Sequence, residues 1–312
     1  MNTMLRTRCV FSLGIVLLLG VVAFPVQAAT FYVDPAGDDS RAGTSTSTAW
    51  QTLSKIEDYG KRTGFLPGDT ILLKRGGIWR ERLNFPSSGT AAKPITIDAY
   101  GTGNKPLILA SRTGLTWTRY SGNIWATGNL DLAPNTNVGF ILLTQEVENP
   151  VLGVNVAKIV SSVSELRNEG DFIWVASPQL GETYGRLGMY TANAGGPAAK
   201  WPLMEVGFLD RGLVISGKSY VTVKNVDARY GTGGSFRICD GSHHIILDGC
   251  EASYGGGTLT DILGIRAGDL IKIDTSSHDV TVRNCRASNA YETGISVEAW
   301  YSNDVLYNIT IE

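Results

Sequence analysis

Cysteine, histidine and long hydrophobic runs are scarce in this chain of 312 residues. Four cysteines are too few for a disulfide scaffold, and their spacing matches no zinc site. Basic and acidic residues nearly balance, 27 against 29, so the electrostatic footprint of a nucleic-acid-binding protein is missing and we expect no nucleic-acid partner. What is abundant is glycine, with 37 residues, which is typical of a turn-rich β protein.

Residues 1–29 have the features of a secretory signal peptide. Arg6 and Arg8 form a basic start, residues 10–24 are apolar, and Val26-Gln27-Ala28 offers a small-residue cleavage site. The apolar run is short of the ~20 residues of a membrane span, although an uncleaved anchor is the alternative. Cleavage leaves 25 basic against 29 acidic residues, a net charge of −4. We therefore expect a secreted or periplasmic monomer with no stable membrane span.

The segment from residue 219 onwards repeats itself. Four stretches align, and in each one apolar and polar residues alternate, which predicts a strand with one buried face. Their matched apolar positions lie 24, 35 and 29 residues apart, so one structural unit recurs with its insertions confined to loops. The matched positions are Val221, Ile245, Val280 and Ile309.

A shorter strand precedes two of these stretches at a constant offset. Phe236 and Ile271 each stand nine residues before the next matched position. Two short strands joined by a polar bend and repeated in this way describe a parallel β-helix, in which each coil buries its inward face by stacking on the next. Asn225 and Asn284 fall at equivalent bends with Gly249 between them, where asparagine tolerates the turn and its amide is suited to satisfy backbone groups of adjacent coils. The predicted fold class is all-β, a parallel β-helix solenoid.

Two N-terminal motifs strengthen this interpretation through a family resemblance. The opening Phe31-Tyr32-Val33-Asp34-Pro35-Ala36-Gly37 and the stretch from Pro67 to Gly77, together with the repeats, resemble the secreted right-handed parallel β-helix proteins of the pectate-lyase-like superfamily. The resemblance covers residues 30–110 and 211–312. It implies a polysaccharide-active protein, because lyases, glycoside hydrolases and epimerases dominate the superfamily, and it does not choose among them.

The chain after the signal peptide divides into three regions. Residues 30–110 are expected to form an N-terminal cap and the first coils, with an amphipathic capping helix at Trp50, Leu53 and Ile56. Residues 111–210 break the repeat and hold four of the seven tryptophans, which predicts an inserted, largely antiparallel β lobe whose tryptophans form either its core or a sugar-stacking platform. Residues 211–312 hold the repeats and stop inside a repeat strand, so we expect a fragment with truncated C-terminal coils.

Two residue pairs stack in the predicted coils. Cys250 and Cys285 take the same inward position one coil apart, and parallel strands lie ~4.8 Å apart, so either a disulfide or a stack of buried thiols fits. His243 and His278 precede equivalent strands, which favours a corner ladder over a catalytic role.

The repeat register also places charged side chains on one outward face. Because Ile238 and Ile273 point inward, Arg237 and Lys272 point outward at equivalent places on adjacent coils. The neighbouring outward column contains Asp274 and Glu298. Loops entering this face add further candidate residues, namely Tyr230, Tyr254, Arg266, Asp269, Tyr291 and Glu292.

This set suits β-elimination on a uronic-acid polymer, which is the first predicted function. Arg237 or Arg266 would hold the substrate carboxylate, because guanidinium pairs with it bidentately. Lys272 would be the base if the cationic Arg237 lowers its pKa, and Tyr291 would be the acid.

The remaining candidates hold the substrate or a metal ion. Asp274 and Glu298 are candidate ligands of a calcium ion that would supply the neutralising charge. The predicted substrate-binding residues are Tyr230, Tyr254, Asp269 and Glu292.

Two other functions use the same face. Paired carboxylates among Asp269, Asp274, Glu292 and Glu298 would make a glycoside hydrolase site at suitable separation. A face that is merely a solvated ladder would belong to a carbohydrate-binding or adhesive protein. The sequence lacks the Gly-His-Gly motif of polygalacturonases, the Trp-Asp-His motif of pectate lyases and the Asp-Pro-His motif of alginate epimerases, so no subfamily is assigned.

Overall fold

The computed structural model describes residues 27–130, 138–144, 155–156, 160–175, 185–208, 211–259 and 266–312. Most of the predicted signal peptide, residues 1–26, lies outside these ranges. Within them, no helix is long and apolar enough to cross a membrane.

The N-terminal region contains a helix that covers the first coil. Leu53 and Ile56 lie on this helix and are buried in the main core, in agreement with the predicted amphipathic helix. Trp50 is also buried there, but it lies before the helix and forms a parallel β-bridge with Val33, so its predicted place on the helix is corrected. The hydroxyl of Thr52 caps the helix by accepting a hydrogen bond from the backbone N–H of Lys55. The elements are β1 (Thr30–Val33), a 3-10 turn (Thr46–Thr48), α1 (Leu53–Arg62), β2 (Thr70–Lys74), β3 (Ile78–Trp79), β4 (Leu83–Phe85), β5 (Ile95–Tyr100) and β6 (Leu107–Leu109).

The inserted lobe is antiparallel, as its sequence indicates. Two four-stranded sheets enclose a core in which Trp125 is buried and Trp117, Trp174 and Trp201 are partly buried, so these tryptophans serve packing. Its elements are β7 (Ser111–Arg112), β8 (Trp117–Ser121), β9 (Ile124–Thr127), β10 (Ile141–Thr144), β11 (Asn155–Val156), a 3-10 turn (Val163–Glu165), β12 (Phe172–Val175), β13 (Arg186–Tyr190), α2 (Gly196–Lys200) and β14 (Leu203–Gly207).

The C-terminal region returns to the coils. One antiparallel hairpin, β21 with β22, interrupts it. The strands are β15 (Arg211–Ser216), β16 (Ser219–Lys224), β17 (Asp227–Arg229), β18 (Gly234–Cys239), β19 (His243–Asp248), β20 (Glu251–Gly255), β21 (Thr258–Leu259), β22 (Arg266–Ala267), β23 (Ile271–Asp274), β24 (His278–Arg283), β25 (Arg286–Ala290), β26 (Ile295–Glu298) and β27 (Tyr307–Ile311).

Three parallel sheets run along the solenoid, and five coils contribute one strand to each, while β1 and β27 extend the first sheet alone. The first sheet has the order β1-β2-β5-β16-β19-β24-β27, the second β3-β6-β17-β20-β25 and the third β4-β15-β18-β23-β26. Val221 pairs with Ile245, Ile245 with Val280 and Val280 with Ile309, so the four matched positions form one column. The predicted parallel β-helix is therefore confirmed, and the core is the space between the three sheets.

Side-chain ladders fix the corners of the coils. Asn225 and Asn284 have positive φ angles of 53° each, and their amides donate to Asp98 and Asp248 of the preceding coils at 2.8 and 2.9 Å. The rings of His243 and His278 are stacked with centroids 5.0 Å apart. Both corner positions agree with the sequence interpretation, except that the asparagine amides bond to aspartate side chains and not to the predicted backbone groups.

The corner after the first sheet offers a direct test of this turn geometry. Asn284→Ala is expected to lower the free energy of unfolding by about 1 kcal/mol, because alanine loses the hydrogen bond to Asp248 and adopts positive φ at a cost. Asn284→Gly is expected to cost less, since Gly249 already occupies the equivalent corner with a φ of 63°. Urea denaturation of the two variants measures the difference, and equal losses would contradict the turn argument.

The stacked cysteines are thiols rather than a disulfide. Cys250 and Cys285 lie one coil apart, and each is free. A hydrogen bond from Cys250 lowers the pKa of Cys285 to about 7, while the pKa of the buried Cys250 is raised by the same interaction and by its burial. Of the two alternatives that the sequence left open, the structure has the thiol stack.

Candidate functional site

The topology gathers the long connections at one corner of the solenoid. The lobe leaves after β6 of the second sheet and returns at β15 of the third sheet. The hairpin β21–β22 and the loop from β25 to β26 make the same crossing. The outer face of the third sheet, hereafter the third-sheet face, is therefore bordered by the lobe and by the β21–β22 hairpin, as expected for a site carried by loops on a rigid scaffold.

The predicted outward columns of the third-sheet face are confirmed by the strand register. Arg237 pairs with Lys272, and Lys272 with Ser296. Asp274 pairs with Glu298. Alternation along each strand sends these side chains away from the core, so all of them lie on one side of the sheet.

Lys272 lies between two carboxylates. Its Nζ is 2.9 Å from Oδ2 of Asp269 and 2.7 Å from Oε2 of Glu298. Asp269 is fully buried, whereas 36% of the Glu298 side chain is exposed. The hydrogen bond from Lys272 holds the carboxylate of Glu298 in place at the surface of the face.

Arg237 is paired in the same manner. Its Nε lies 2.9 and 3.1 Å from the two carboxylate oxygens of Asp274, and its Nη2 lies 2.8 Å from Oδ2. Asp274 is fully buried and directs both oxygens at the guanidinium. Arg237 therefore supports Asp274 and does not present a free fork to a ligand.

The predicted role of Lys272 as the base requires that Arg237 lowers its pKa. The structure does not meet this condition, so the prediction is corrected. Burial acts to lower the pKa of Lys272, but the hydrogen bonds that its ammonium group donates to Glu298 and Asp269 outweigh burial and raise the pKa above its ordinary value. Arg237 was expected to lower the pKa, yet its charge is compensated by Asp274. Lys272 is a cation that positions carboxylates.

Three of the predicted substrate-binding residues are buried or half-buried. Tyr230 is fully buried, with its ring centroid 6.3 Å from that of Phe140 in the lobe. Tyr254 is half-buried and packs on Tyr230. Asp269 is buried against Lys272. The lobe covers the two tyrosines, which the repeat pattern alone does not reveal.

Tyr291 and Glu292 do reach the surface. Tyr291 is 57% exposed, which keeps the predicted acid in contact with solvent. Glu292 is exposed and its Oε2 accepts a hydrogen bond from the backbone N–H of Gly268 at 3.0 Å, next to Asp269. Arg266 lies in β22, and its side chain is outside the described part of the structure.

Trp300 is a surface aromatic that the sequence interpretation missed. Its ring is 48% exposed, and Nζ of Lys272 lies 4.6 Å from the ring centroid. Ser296, Glu298 and Trp300 alternate along the chain, so continuing the period of two beyond Glu298 would have found it. An exposed indole beside a carboxylate provides a flat apolar surface for the C–H face of a sugar ring.

The predicted calcium ligands do not fit a metal site. Both oxygens of Asp274 are taken by Arg237, and Glu298 is bonded to Lys272. Across the described residues, no group of three or more histidine, cysteine, aspartate or glutamate side chains is arranged to hold a metal ion. Calcium prefers six or more oxygen ligands, and the described residues of this face do not supply such a set.

Comparison with known proteins agrees with this architecture. The family described as right handed beta helix region matches residues 208–312. The chain is a right-handed parallel β-helix protein. This β-helix protein is 37% identical over 102 residues to a lacto-N-biosidase of Bifidobacterium longum subsp. longum, a match that covers 30% of this chain and 6% of that enzyme.

Solved structures extend the likeness of this β-helix protein to most of its length. The GH136 lacto-N-biosidase from Eubacterium ramulus has a TM-score of 0.51 at 18% identity, covering 91% of this chain and 40% of its own. A glycoside hydrolase gives 0.55 at 10% identity, with coverages of 86% and 67%. XylC in complex with xylose gives 0.53 at 13% identity, with coverages of 90% and 63%. At these identities the likeness establishes the fold, and the chain spans less than half the length of the Eubacterium enzyme.

Proposed function

We propose that this β-helix protein is a glycoside hydrolase that acts on a neutral glycan at the third-sheet face. The observation that supports this proposal is the pairing of Lys272 with Asp269 and Glu298, which leaves an ordered carboxylate at the surface, while Lys272 and Arg237 are both already paired. Hydrolysis of a glycosidic bond needs two carboxyl groups that flank the bond.

The charge of the face favours a neutral substrate. Four carboxylates, of Asp269, Asp274, Glu292 and Glu298, stand against the two described cations, Arg237 and Lys272. A uronate polymer would meet a net negative surface whose cations are already paired. A lyase would need one cation for the substrate carboxylate and an unprotonated base, and neither is offered by Arg237 or Lys272.

Two exposed carboxyl groups are the proposed catalytic residues. Glu298, hydrogen-bonded to Lys272, would act as the nucleophile or as the base that activates water. Glu292, bonded only to a backbone N–H, would donate the proton to the leaving oxygen. Trp300 would hold the sugar ring over Glu298. The sequence match to a lacto-N-biosidase supports this class of reaction.

Release of reducing ends from neutral oligosaccharides, including ones that end in lacto-N-biose, tests the proposal. Glu298→Gln and Glu292→Gln are expected to lower kcat by about 10²–10⁴-fold, because each removes a carboxyl group that transfers a proton or attacks the sugar. Glu165→Gln, an exposed glutamate of the lobe, is the matched control and should keep full activity.

The same assay separates the alternatives. Absorbance near 235 nm that rises with alginate or polygalacturonate, and is lost in Lys272→Ala, would replace the hydrolase by a lyase. Binding to glycans without either product would leave a carbohydrate-binding protein. Full activity in both glutamine variants would place the chemistry elsewhere on the chain.

A further inference from the structure

All three histidines of the chain lie in one cluster at the start of two strands of the first sheet. His243 and His244 begin β19, and His278 begins β24 of the next coil. Because the register pairs His243 with His278, the cluster follows the corner at which the chain leaves the third sheet. The proposed hydrolase site uses none of the three.

The rings of this histidine cluster contact one another directly. Nδ1 of His243 lies 2.8 Å from Nδ1 of His244, and Nδ1 of His278 lies 2.7 Å from Oδ2 of Asp279. The rings of His243 and His278 are stacked with centroids 5.0 Å apart, and Tyr220 stacks on His244 at 4.5 Å. The charge of each imidazole therefore depends on the charge of the others.

The contact between His243 and His244 limits how many protons the cluster can hold. One of the two nitrogens must donate and the other must accept, so the hydrogen bond exists only while one Nδ1 is unprotonated. When both rings are cations, two donors face each other. Protonation of the stacked His278 adds a third positive charge, against the single carboxylate of Asp279.

The surroundings of His243 favour its neutral form. Burial lowers its pKa, the neighbouring His278 and His244 lower it further, and Asp279 acts in the opposite direction. Hydrogen bonds from Asn308 and His278 hold the pKa of Asp279 below its usual value, so this carboxylate stays ionised in mild acid. The titratable groups that the packed strands direct at the cluster are Tyr220 from β16, His244 from β19, His278 and Asp279 from β24 and Tyr307 from β27.

The backbone at this corner is held in a costly conformation. Tyr220, His244, Asp279 and Asn308 occupy equivalent positions of successive coils, and their φ angles lie between 51° and 55°. Residues with a Cβ atom keep such angles only where the contacts around them impose the conformation. For His244 the hydrogen bond to His243 is one of these contacts, so its loss allows the turn to relax.

We propose that the histidine cluster is an acid-sensitive switch at the corner between the third and first sheets. The corner is closed while one Nδ1 of the His243–His244 pair is unprotonated, and it opens when that nitrogen takes up a proton from solvent. The strands that carry Arg237 and Lys272 run directly into this corner, so opening also loosens the third-sheet face. The switch does not depend on the hydrolase proposal.

Urea denaturation at pH 7.5 and at pH 5.0 tests the switch. The pKa of folded His243 lies below the ordinary 6.5, so the unfolded chain binds more protons between the two values. Stability is therefore complete above pH 6.5 and falls as the pH drops through 6.5 towards the folded-state value. The unfolding constant is expected to be about 5-fold larger or more at pH 5.0. All proteins carry Cys285→Ser, because that thiol, with a pKa of about 7, titrates in the same range.

Two variants should change this pH effect in opposite directions. His243→Gln removes the buried imidazole and leaves an amide that can bond to His244 as donor or acceptor, so the change should fall to about 2-fold or less. Asp279→Asn removes the carboxylate that compensates the cations, so the change should grow.

Amide hydrogen exchange at the two pH values locates the opening. The N–H groups of His243 and His278 each donate to a carbonyl of the preceding coil, at 3.0 and 3.1 Å. After correction for the intrinsic exchange rate, both should lose about 10-fold in protection at pH 5.0, while the N–H of Trp50 in the first coil keeps its protection. Equal protection of the two histidines at both pH values, or the same pH effect on unfolding with and without His243→Gln, would overturn the proposal.

Discussion

Arg80→Met is expected to lower the free energy of unfolding by about 3–5 kcal/mol, because it leaves a buried carboxylate without its cation. The two guanidinium nitrogens Nη1 and Nη2 of Arg80 each lie 2.8 Å from one carboxylate oxygen of Glu205. Glu205 is fully buried in the lobe, and Ser111 donates a further hydrogen bond to it at 2.6 Å. This network joins the first coils to the lobe, so its loss destabilises their contact.

Urea denaturation of Arg80→Met measures this loss of unfolding free energy, and two control variants show how much of it comes from the unpaired charge. Arg41→Met breaks a pair with Asp38 in which both side chains are at least half exposed, and it is expected to change the stability little. Arg80→Met combined with Glu205→Met removes both charges and is expected to recover most of the stability. A double variant as unstable as Arg80→Met alone would mean that the shape of the site, and not the unpaired charge, dominates.

Lys272→Met is also expected to lower the free energy of unfolding by about 3–5 kcal/mol, because it leaves the buried carboxylate of Asp269 without its cation. The pH dependence of this loss of stability tests whether it comes from the ion pair between Lys272 and Asp269. Lys272 pairing raises its pKa above 10.5, so this stabilisation is complete below pH 10.5 and is lost as the pH rises through the folded-state value. Despite its burial, Asp269 has a pKa below 3.8 because of Lys272, so its contribution is complete above pH 3.8 and is lost as the pH falls through the folded-state value.

The difference in unfolding free energy between wild type and Lys272→Met should therefore be level from pH 5 to 9. It should shrink at pH 3 and again at pH 11. Hydrolysis should also fall, because Glu298 loses the cation that orders it. Lys272→Arg, which keeps the charge, should retain part of the stability but less of the activity, since its planar fork differs in shape from the ammonium group. A difference that varies strongly between pH 5 and 9 would contradict the ion-pair assignment.

Much of the candidate site was already fixed by periodicity. The columns Arg237, Lys272, Ser296 and Asp274, Glu298 follow from alternation and from a constant offset between strands. Extending the alternation by two residues would also have found Trp300. The chemistry of the columns did not follow, because the pKa of Lys272 depends on Asp269, which enters from a loop whose path the repeat does not specify.

The sequence by itself determined the solenoid, its corner ladders and the side of each strand that faces outward, because a repeated coil makes every register a copy of the previous one. The tertiary structure alone decided which outward groups are free. The lobe buries Tyr230 through Phe140, 90 residues earlier in the chain, and Gly76 to Ile78 line one cavity together with Asp227, about 150 residues later. Burial and ion pairing depend on residues that are distant in the sequence, so the alternation of residues within a strand does not predict them.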